Sequence, residues 1–348
     1  MNSEGSFYNW TLDELKVRLA GLGKEVYRAQ QLMRWVYAEG LSEFAAMTNL
    51  SKAFRSELPQ MFSLELPKIV SELKSTDRTR KYLFDVGEGK TVEAVLIPSN
   101  ERLTLCLSSE VGCNMACSFC FTGKQKLKRR LAAADIVGQF MAVKKRLEPG
   151  ERISNIVFMG MGEPLDNPEA VFKAIDIFHS PWGLNLSRRK ITVSTSGLVP
   201  QIPLVTKSGT RLAVSLNAVT DELRDRIMPI NRKWPLKDLL GACRQHADES
   251  GDRVTFEYVL LKGVTDSLAD ARALYQLTRK VPCKINIIPF NEHPDSDFQR
   301  PEEDRIQAFH RELMRVGAHV LRRKTMGRDI YAACGQLTSH YEDHPLRM

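Results

Sequence analysis

A chain of 348 residues, 43% hydrophobic and 26% charged, is long enough to bury a barrel-sized core beside a smaller accessory unit. No apolar run approaches the ~18 residues of a membrane span, and the start, Met1-Asn-Ser-Glu-Gly, lacks a basic stretch followed by an apolar one, so we expect no signal peptide, no membrane and a cytoplasmic site. The net charge of +8 points to a polyanionic partner without separating nucleic acid from a solvated basic surface, and seven cysteines in no regular framework predict working thiols rather than disulfide staples.

From Thr11 to about Phe62, Leu12, Leu15, Leu19 and Leu22 recur at helical spacing and Leu32, Trp35 and Val36 form a second stripe. Residues 1–65 therefore read as a helical accessory domain whose leucines and aromatics fill its own core. Residues 66–98 switch to β-branched and alternating runs, Lys81–Val86 and Thr91–Ile97, broken at Gly87-Glu-Gly89 and Pro98-Ser-Asn100, which predicts a strand meander. Residues 99–337 form the main body, and 338–348 a tail. The body alternates strand candidates (Ile153–Phe158, Lys190–Ser194, Arg211–Ser215, Val254–Leu261, Lys284–Ile288, His319–Arg323) with helical stretches such as Ala133–Leu147, Pro168–Phe178 and Leu268–Arg279. That alternation predicts an α/β fold of βαβ units around a parallel sheet, an open or closed barrel with its chemistry at the carboxyl ends of the strands.

Between meander and body lies Gly112-Cys-Asn-Met-Ala-Cys-Ser-Phe-Cys-Phe121. With seven cysteines in the chain, this triplet arises by chance on the order of a few times in a thousand. Cys113, Cys117 and Cys120 can ligate three irons of a [4Fe-4S] cluster and leave the fourth open. An open iron can chelate the amino and carboxylate groups of S-adenosylmethionine, whose sulfonium the cluster's electron then cleaves. A structural zinc would want a fourth Cys or His nearby.

Polar residues arrive where such a barrel needs them. Phe158-Met-Gly-Met-Gly-Glu-Pro-Leu165 follows a strand, and Gly162 and Glu163 can face the methionine amino group. Ser194-Thr-Ser-Gly197, Ser215-Leu-Asn217 and Pro289-Phe-Asn291 end three further strands, which makes Ser194, Ser215, Leu216, Asn217 and Asn291 cofactor-facing candidates. Singly, each is more often a cap or a turn. Cys106, on the strand entering the loop, and Cys334, after the last strand, are thiols beside the barrel mouth, whereas Cys243 and Cys283 read as inert.

The cysteine loop, Gly160-Met-Gly-Glu-Pro-Leu-Asp-Asn167, Lys190-Ile-Thr-Val-Ser-Thr-Ser-Gly197, Met228-Pro-Ile-Asn-Arg-Lys233, Glu257-Tyr-Val-Leu-Leu-Lys-Gly263 and Ala332-Ala-Cys-Gly-Gln-Leu337 together resemble the RlmN/Cfr family of radical S-adenosylmethionine RNA methyltransferases, from about Thr11 to Leu337. The resemblance implies a partial (β/α)6 barrel behind a helical, RNA-binding N-terminal domain, one [4Fe-4S] cluster per chain and two S-adenosylmethionine molecules consumed per methylation. It implies that Cys334 is first methylated, that a 5'-deoxyadenosyl radical then removes a hydrogen from that methyl, and that the carbon radical adds to adenine. Glu93, in Val92-Glu-Ala-Val-Leu-Ile-Pro98, matches the base that takes the ring proton, and Cys106 the thiol that closes a transient disulfide with Cys334. The implied substrates are adenosine 2503 of 23S rRNA and adenosine 37 of certain tRNAs, with flavodoxin or ferredoxin as reductant. Carbons 2 and 8 of adenine are electrophilic, so radical addition avoids a methyl transfer that has little to drive it.

Gly162-Glu-Pro164 and Leu96-Ile-Pro98 read as RlmN-like, hence carbon 2, with a Cfr-like carbon-8 enzyme as the alternative. A non-catalytic RNA-binding protein with zinc at the three cysteines is the reading from another class. Phe121 stands where the family commonly has a small residue, and Asn217 where it has histidine, which touches one ribose contact while preserving hydrogen bonding. Lys124-Gln-Lys-Leu-Lys-Arg-Arg130, Ser187-Arg-Arg-Lys190 and Arg322-Arg-Lys324 are the candidate phosphate contacts.

Overall fold

A computed structural model describes residues 5–100 and 102–338, so all of the expected tail beyond Thr338 lies outside the described residues. The accessory unit has three helices. In α1 (Leu12–Gly21) the Thr11 hydroxyl accepts from the Glu14 amide while Glu14 accepts from the Thr11 amide, a reciprocal cap worth about 1 kcal/mol. Leu15 and Leu19 are buried, but Leu22 is 50% exposed, because α1 ends at Gly21 and Leu22 is already its C-terminal cap. α2 (Arg28–Met33) runs into a π turn over Arg34–Ala38, and α3 (Lys52–Met61) completes the unit. Phe7 packs on Tyr37 and Phe62 at its centre. The unit docks on the body through polar ties, among them Lys173 to Glu14 at 2.8 Å and Lys144 Nζ donating to the Ala38 carbonyl at 3.1 Å.

The meander is β1 (Lys68–Lys74), β2 (Arg80–Asp85), β3 (Thr91–Ser99) and β4 (Arg102–Cys106), each antiparallel to the next. A short ribbon, β5 (Glu110–Val111) with β6 (Arg129–Arg130), brackets the cysteine loop. From β4 onward all neighbours in the main sheet are parallel: β7 (Ile153–Phe158), β8 (Ile191–Thr195), β9 (Arg211–Ser215), β10 (Val254–Leu260), β11 (Cys283–Pro289) and β12 (Val320–Arg322). The ten strands lie in the order β1-β2-β3-β4-β7-β8-β9-β10-β11-β12. β4 is thus both the last strand of the meander and the first of the barrel. The connecting helices are α4 (Ala133–Lys144), α5 (Pro168–His179), α6 (Ile202–Ser208), α7 (Asp221–Ile227), α8 (Leu236–Ser250), α9 (Leu268–Thr278) and α10 (Glu303–Arg315). Residues between β12 and Thr338 run back from one edge of the sheet toward the other. They are tied to the meander by Ser75 Oγ donating to Asp329 (2.6 Å) and Lys81 Nζ donating to the Tyr331 carbonyl (3.1 Å). They are tied to the cysteine loop by Phe121 N–H to the Gly335 carbonyl (2.8 Å) and Thr122 Oγ1 to the Leu337 carbonyl (2.7 Å).

Candidate active site

The cysteine loop is wound tightly enough that two of its positions exclude a side chain. A Cβ on Gly112 (φ 79°) would sit 2.2 Å from the Lys126 carbonyl oxygen, and one on Gly123 would sit 2.6 Å from that of Cys117. Ala116 takes the left-handed conformation, φ 52°, between the first two cysteines. The result turns the Cys113, Cys117 and Cys120 thiols onto the wall of one cavity of about 950 Å3 at the carboxyl ends of the strands. They share a wall rather than close around a point: among the described residues no three His, Cys, Asp or Glu side chains converge as a single-ion site. Burial pushes the pKa of all three thiols up, so a cationic group must sit among them to hold them as thiolates. The donor set fits a multi-iron cluster with a face open to the cavity.

Beside it the chain turns sharply after β7. A Cβ on Gly160 would lie 2.6 Å from the Leu107 carbonyl oxygen, and Gly162 (φ 95°) leaves only 2.5 Å to Glu110 Cβ. Glu163 is buried and accepts from the Leu165 amide (3.1 Å) and the Ser196 amide (2.7 Å). Burial raises its pKa against the pull of those bonds. Glu110, which sequence reasoning missed, accepts from the Glu163 amide at 2.8 Å and is pushed up to about 8 by burial. Ser194, Ser215, Asn217 and Asn291 all line the same cavity with Gly162 and Glu163. Asn217, at φ 58°, donates to Met228 Sδ (3.3 Å) and accepts from the Val259 amide (2.9 Å), so both ends of its amide are engaged within the protein.

Leu216, expected to face the cofactor with its neighbours, has its side chain buried in the core and off the cavity wall, which leaves only its backbone for such a contact. The reason is alternation, since Ser215 and Asn217 face the cavity and the residue between them faces away. Behind this wall Arg224 is fully buried and donates to the carbonyls of Ser196 (2.6 Å), Ser215 (3.0 Å) and Leu216 (3.0 Å), pinning two strand ends together. Burial brings its pKa down to about 10. Asn291 Oδ1, a buried polar atom on the cavity wall, has no hydrogen-bond partner among the described residues, as expected where a polar ligand supplies one. Ser196 lines the same wall.

Cys334 lines this cavity and a second, adjoining one of about 540 Å3, whose wall also holds Cys106. Both are free thiols. The Cys334 carbonyl accepts from Asn291 Nδ2 at 3.1 Å, and burial pushes the Cys106 thiol up to about 12. Arg323, expected as a phosphate contact near the strand ends, lines both cavities, donates to Met159 Sδ (3.5 Å) and sits 3.9 Å from Glu257, and the neighbouring Cys334 raises the guanidinium's pKa. Its neighbour Arg322 is paired with Glu303 (Nη2 to Oε2, 2.8 Å).

Glu93 lies on β3, buried, with Oε1 2.9 Å from Lys81 Nζ and Oε2 accepting from the Thr338 amide at 3.0 Å. The cross-strand pair Val95 and Cys106 puts Glu93 on the same sheet face as Cys106. The segment ending at Thr338 covers it, and it is on the wall of neither cavity. Cys243 is buried as expected, while Cys283 is half-buried at the start of β11. The other basic clusters are largely answered by carboxylates: Arg129 by Asp135 (3.0 Å), Arg130 by Asp166 (2.8 Å) and Arg188 by Asp176 (2.8 Å).

Comparison with known families and structures agrees with this geometry. A family model described as the Radical SAM superfamily matches residues 108–275, and one described as the ribosomal RNA large subunit methyltransferase N-terminal domain matches residues 6–64. The chain is 63% identical over 338 residues to a dual-specificity RNA methyltransferase RlmN of Bdellovibrio bacteriovorus, covering 97% of this chain and 85% of that one. It is 51% identical over 330 residues to the protein of the same description from Geotalea uraniireducens, covering 94% and 95%. Among solved structures, a radical SAM methyltransferase from Sphaerobacter thermophilus superposes with a TM-score of 0.92 at 42% identity, over 96% of this chain and 99% of that one.

Proposed function

The chain belongs to the RlmN family of radical S-adenosylmethionine RNA methyltransferases, and from that premise we propose that it methylates carbon 2 of adenine, at adenosine 2503 of 23S rRNA and adenosine 37 of tRNAs, with Cys334 as the methyl carrier. The observation that carries the reading is the placement of Cys334 on two cavities at once, one shared with Cys113, Cys117 and Cys120, the other with Cys106. Cys113, Cys117 and Cys120 would hold a [4Fe-4S] cluster, and Gly162, Glu163, Ser194, Ser215, Asn217 and Asn291 would surround S-adenosylmethionine, whose reductive opening supplies the radical that an electrophilic ring carbon requires.

The protein's own groups do the rest. Asn291 fixes the Cys334 backbone through its carbonyl, and the Arg323 guanidinium lies beside the sulfur that would take a methyl from a sulfonium. Glu93 is the base for the ring proton, and its ion pair with Lys81 fixes the carboxylate on the sheet face that carries Cys106. Cys106, kept protonated by burial, acts last. It gives up its proton and attacks the Cys334 sulfur, the sulfur–sulfur bond forms as the sulfur–carbon bond breaks, and the electron pair leaves with the carbon, which takes up a proton in place of the one Cys106 released and becomes the methyl group. Residues 6–64 serve as an RNA-binding accessory domain, and a flavodoxin or ferredoxin supplies electrons. No helix among the described residues is long and apolar enough to cross a membrane.

The test is incubation of anaerobically reconstituted protein with 23S rRNA or tRNA, a reductant and methyl-labelled cofactor, followed by nucleoside mass spectrometry. Labelled 2-methyladenosine is expected. Labelled 8-methyladenosine would move the chain to Cfr-type regiochemistry, and a protein holding zinc instead of about four irons would refute the radical assignment.

A further inference from the structure

Part of the net charge of +8 is displayed away from the basic clusters prominent in the sequence, whose arginines are paired within the protein while Lys124, Lys126, Lys190 and Lys324 make no ion pair among the described residues. It is displayed at the opposite end of the sheet from the cysteine loop, where β4 and β7 begin. The turn between β1 and β2, the turn between β3 and β4, and the connection from α4 to β7 meet there around a groove of about 1000 Å3. Lys74, Arg78, Arg102 and Arg152 line it, all exposed, and none makes an ion pair among the described residues. A fifth cation, Arg80, is held by Glu151 at 2.6 Å. Glu148 and Glu151 are the carboxylates on the wall, so cations exceed carboxylates by three, or by two if Glu101, next to Arg102 in the chain and outside the described residues, is counted.

Four unpaired cations around one groove repel, and a bound polyanion relieves that repulsion. Arg78 is held at φ 70°, a left-handed conformation that costs a non-glycine residue about 1–2 kcal/mol, at the tip of its turn. The chemistry of the wall chooses among polyanions. Pro98 and Leu103 are its only apolar members, too few for the aromatic and apolar centre of a protein interface, whereas guanidinium forks match phosphate oxygens directly. Strands of five to seven residues separate this end of the sheet from the site, roughly 20 Å at about 3.3 Å per residue.

We propose that this groove binds the sugar-phosphate backbone of the RNA substrate, as a second contact remote from the reacting base; the proposal rests on the reading of the chain as an RNA methyltransferase. Contacts of this kind position a duplex or loop without reading its sequence, which suits an enzyme that must accept both a ribosomal and a transfer RNA.

The test uses reconstituted holoenzyme and an unmodified tRNA transcript. Arg78→Gln, Arg102→Gln, Arg152→Gln and the triple variant are compared with the parent, with Arg315→Gln, an arginine paired with Glu312, as control. Binding is measured from 50 to 200 mM salt, alongside KM and kcat for methylation, iron content and Tm. Each lost phosphate contact should flatten the slope of log K against log salt by about 0.7–0.9. The triple variant should therefore lose about two units of slope and at least tenfold in affinity, with KM raised, kcat within twofold, and iron and Tm unchanged. A triple variant with the parent's slope and KM would overturn the proposal, and so would one that binds RNA normally but is no longer reduced by an acidic electron-transfer protein. If the parent binds RNA steeply and the triple variant does not, yet no methyladenosine forms, the groove stands and the methyltransferase reading falls.

Discussion

Lys81→Met tests the least expected element of the site, an ion pair whose two side chains are 2% and 1% exposed. Methionine approximates the lysine stem, so packing is little disturbed, and it removes the charge together with the donor to the Tyr331 carbonyl. It leaves Glu93, which still accepts from the Thr338 amide, without the Lys81 charge. Removing one partner of a buried pair costs about 3–5 kcal/mol, because the surviving charge has already lost its water. At about 2.1 cal/mol/K of unfolding entropy per residue, a chain of 348 residues shifts by about 1.4 °C per kcal/mol, which gives a fall in Tm of roughly 4–7 °C. Differential scanning calorimetry under anaerobic conditions reads this directly. Adding Glu93→Gln should restore most of the lost stability, since neither partner is then charged, while methylation stays lost because the proton acceptor is gone. A Lys81→Met protein within 1 kcal/mol of the parent, or a double variant as unstable as the two single losses added together, would refute the account of a compensated buried pair.

Three further outcomes are expected. Alanine at Cys113, Cys117 or Cys120 should abolish 5'-deoxyadenosine formation, read by chromatography, and a triple variant that still cleaves the cofactor would remove the radical assignment. Glu110→Gln should flatten stability against pH. The Glu110 carboxyl binds its proton up to about pH 8 when folded but only to about 4.5 when unfolded, so the folded state holds more protons in that window and the parent should lose stability as pH rises through it. The variant should match the parent near pH 4.5 and exceed it in Tm at pH 8. Cys106→Ala should accumulate a covalent protein–RNA species that survives denaturation, absent in Cys334→Ala, and turnover of Cys106→Ala at the parent's rate without such a band would remove the disulfide-release role.

What the sequence made legible was what local spacing encodes. The cysteine triplet, the polar residues ending β8, β9 and β11, and the parallel alternation needed only periodicity and turn chemistry, and the structure gathers those residues on one cavity. The inward turn of the Leu216 side chain was not legible in its motif, where Ser215 and Asn217 on either side face the cavity. The placement of Arg323 was hidden for a different reason. In sequence it is the centre of a basic triplet, and nothing local reveals that Arg322 is answered by Glu303, 19 positions earlier, while Arg323 turns inward to Glu257, 66 positions earlier.

The same distinction explains why charge was the poorest guide. A run of lysines and arginines says where cations are made, but only the fold says which are already neutralised. Arg129, Arg130 and Arg188 come from dense runs and are paired, whereas Lys74, Arg78, Arg102 and Arg152 are scattered over 79 positions and are not. Three separate turns bring the latter together because β1 to β4 form a meander whose last strand is also the first of the barrel. A surface assembled by topology in this way has no sequence motif. Its charge is also harder to screen than that of a single flexible run, because the turns hold the cations at fixed separations. For an enzyme whose reacting base must enter a cavity walled by four cysteines, that rigidity has a use: it lets the bulk of the RNA be oriented by charges that take no part in the chemistry.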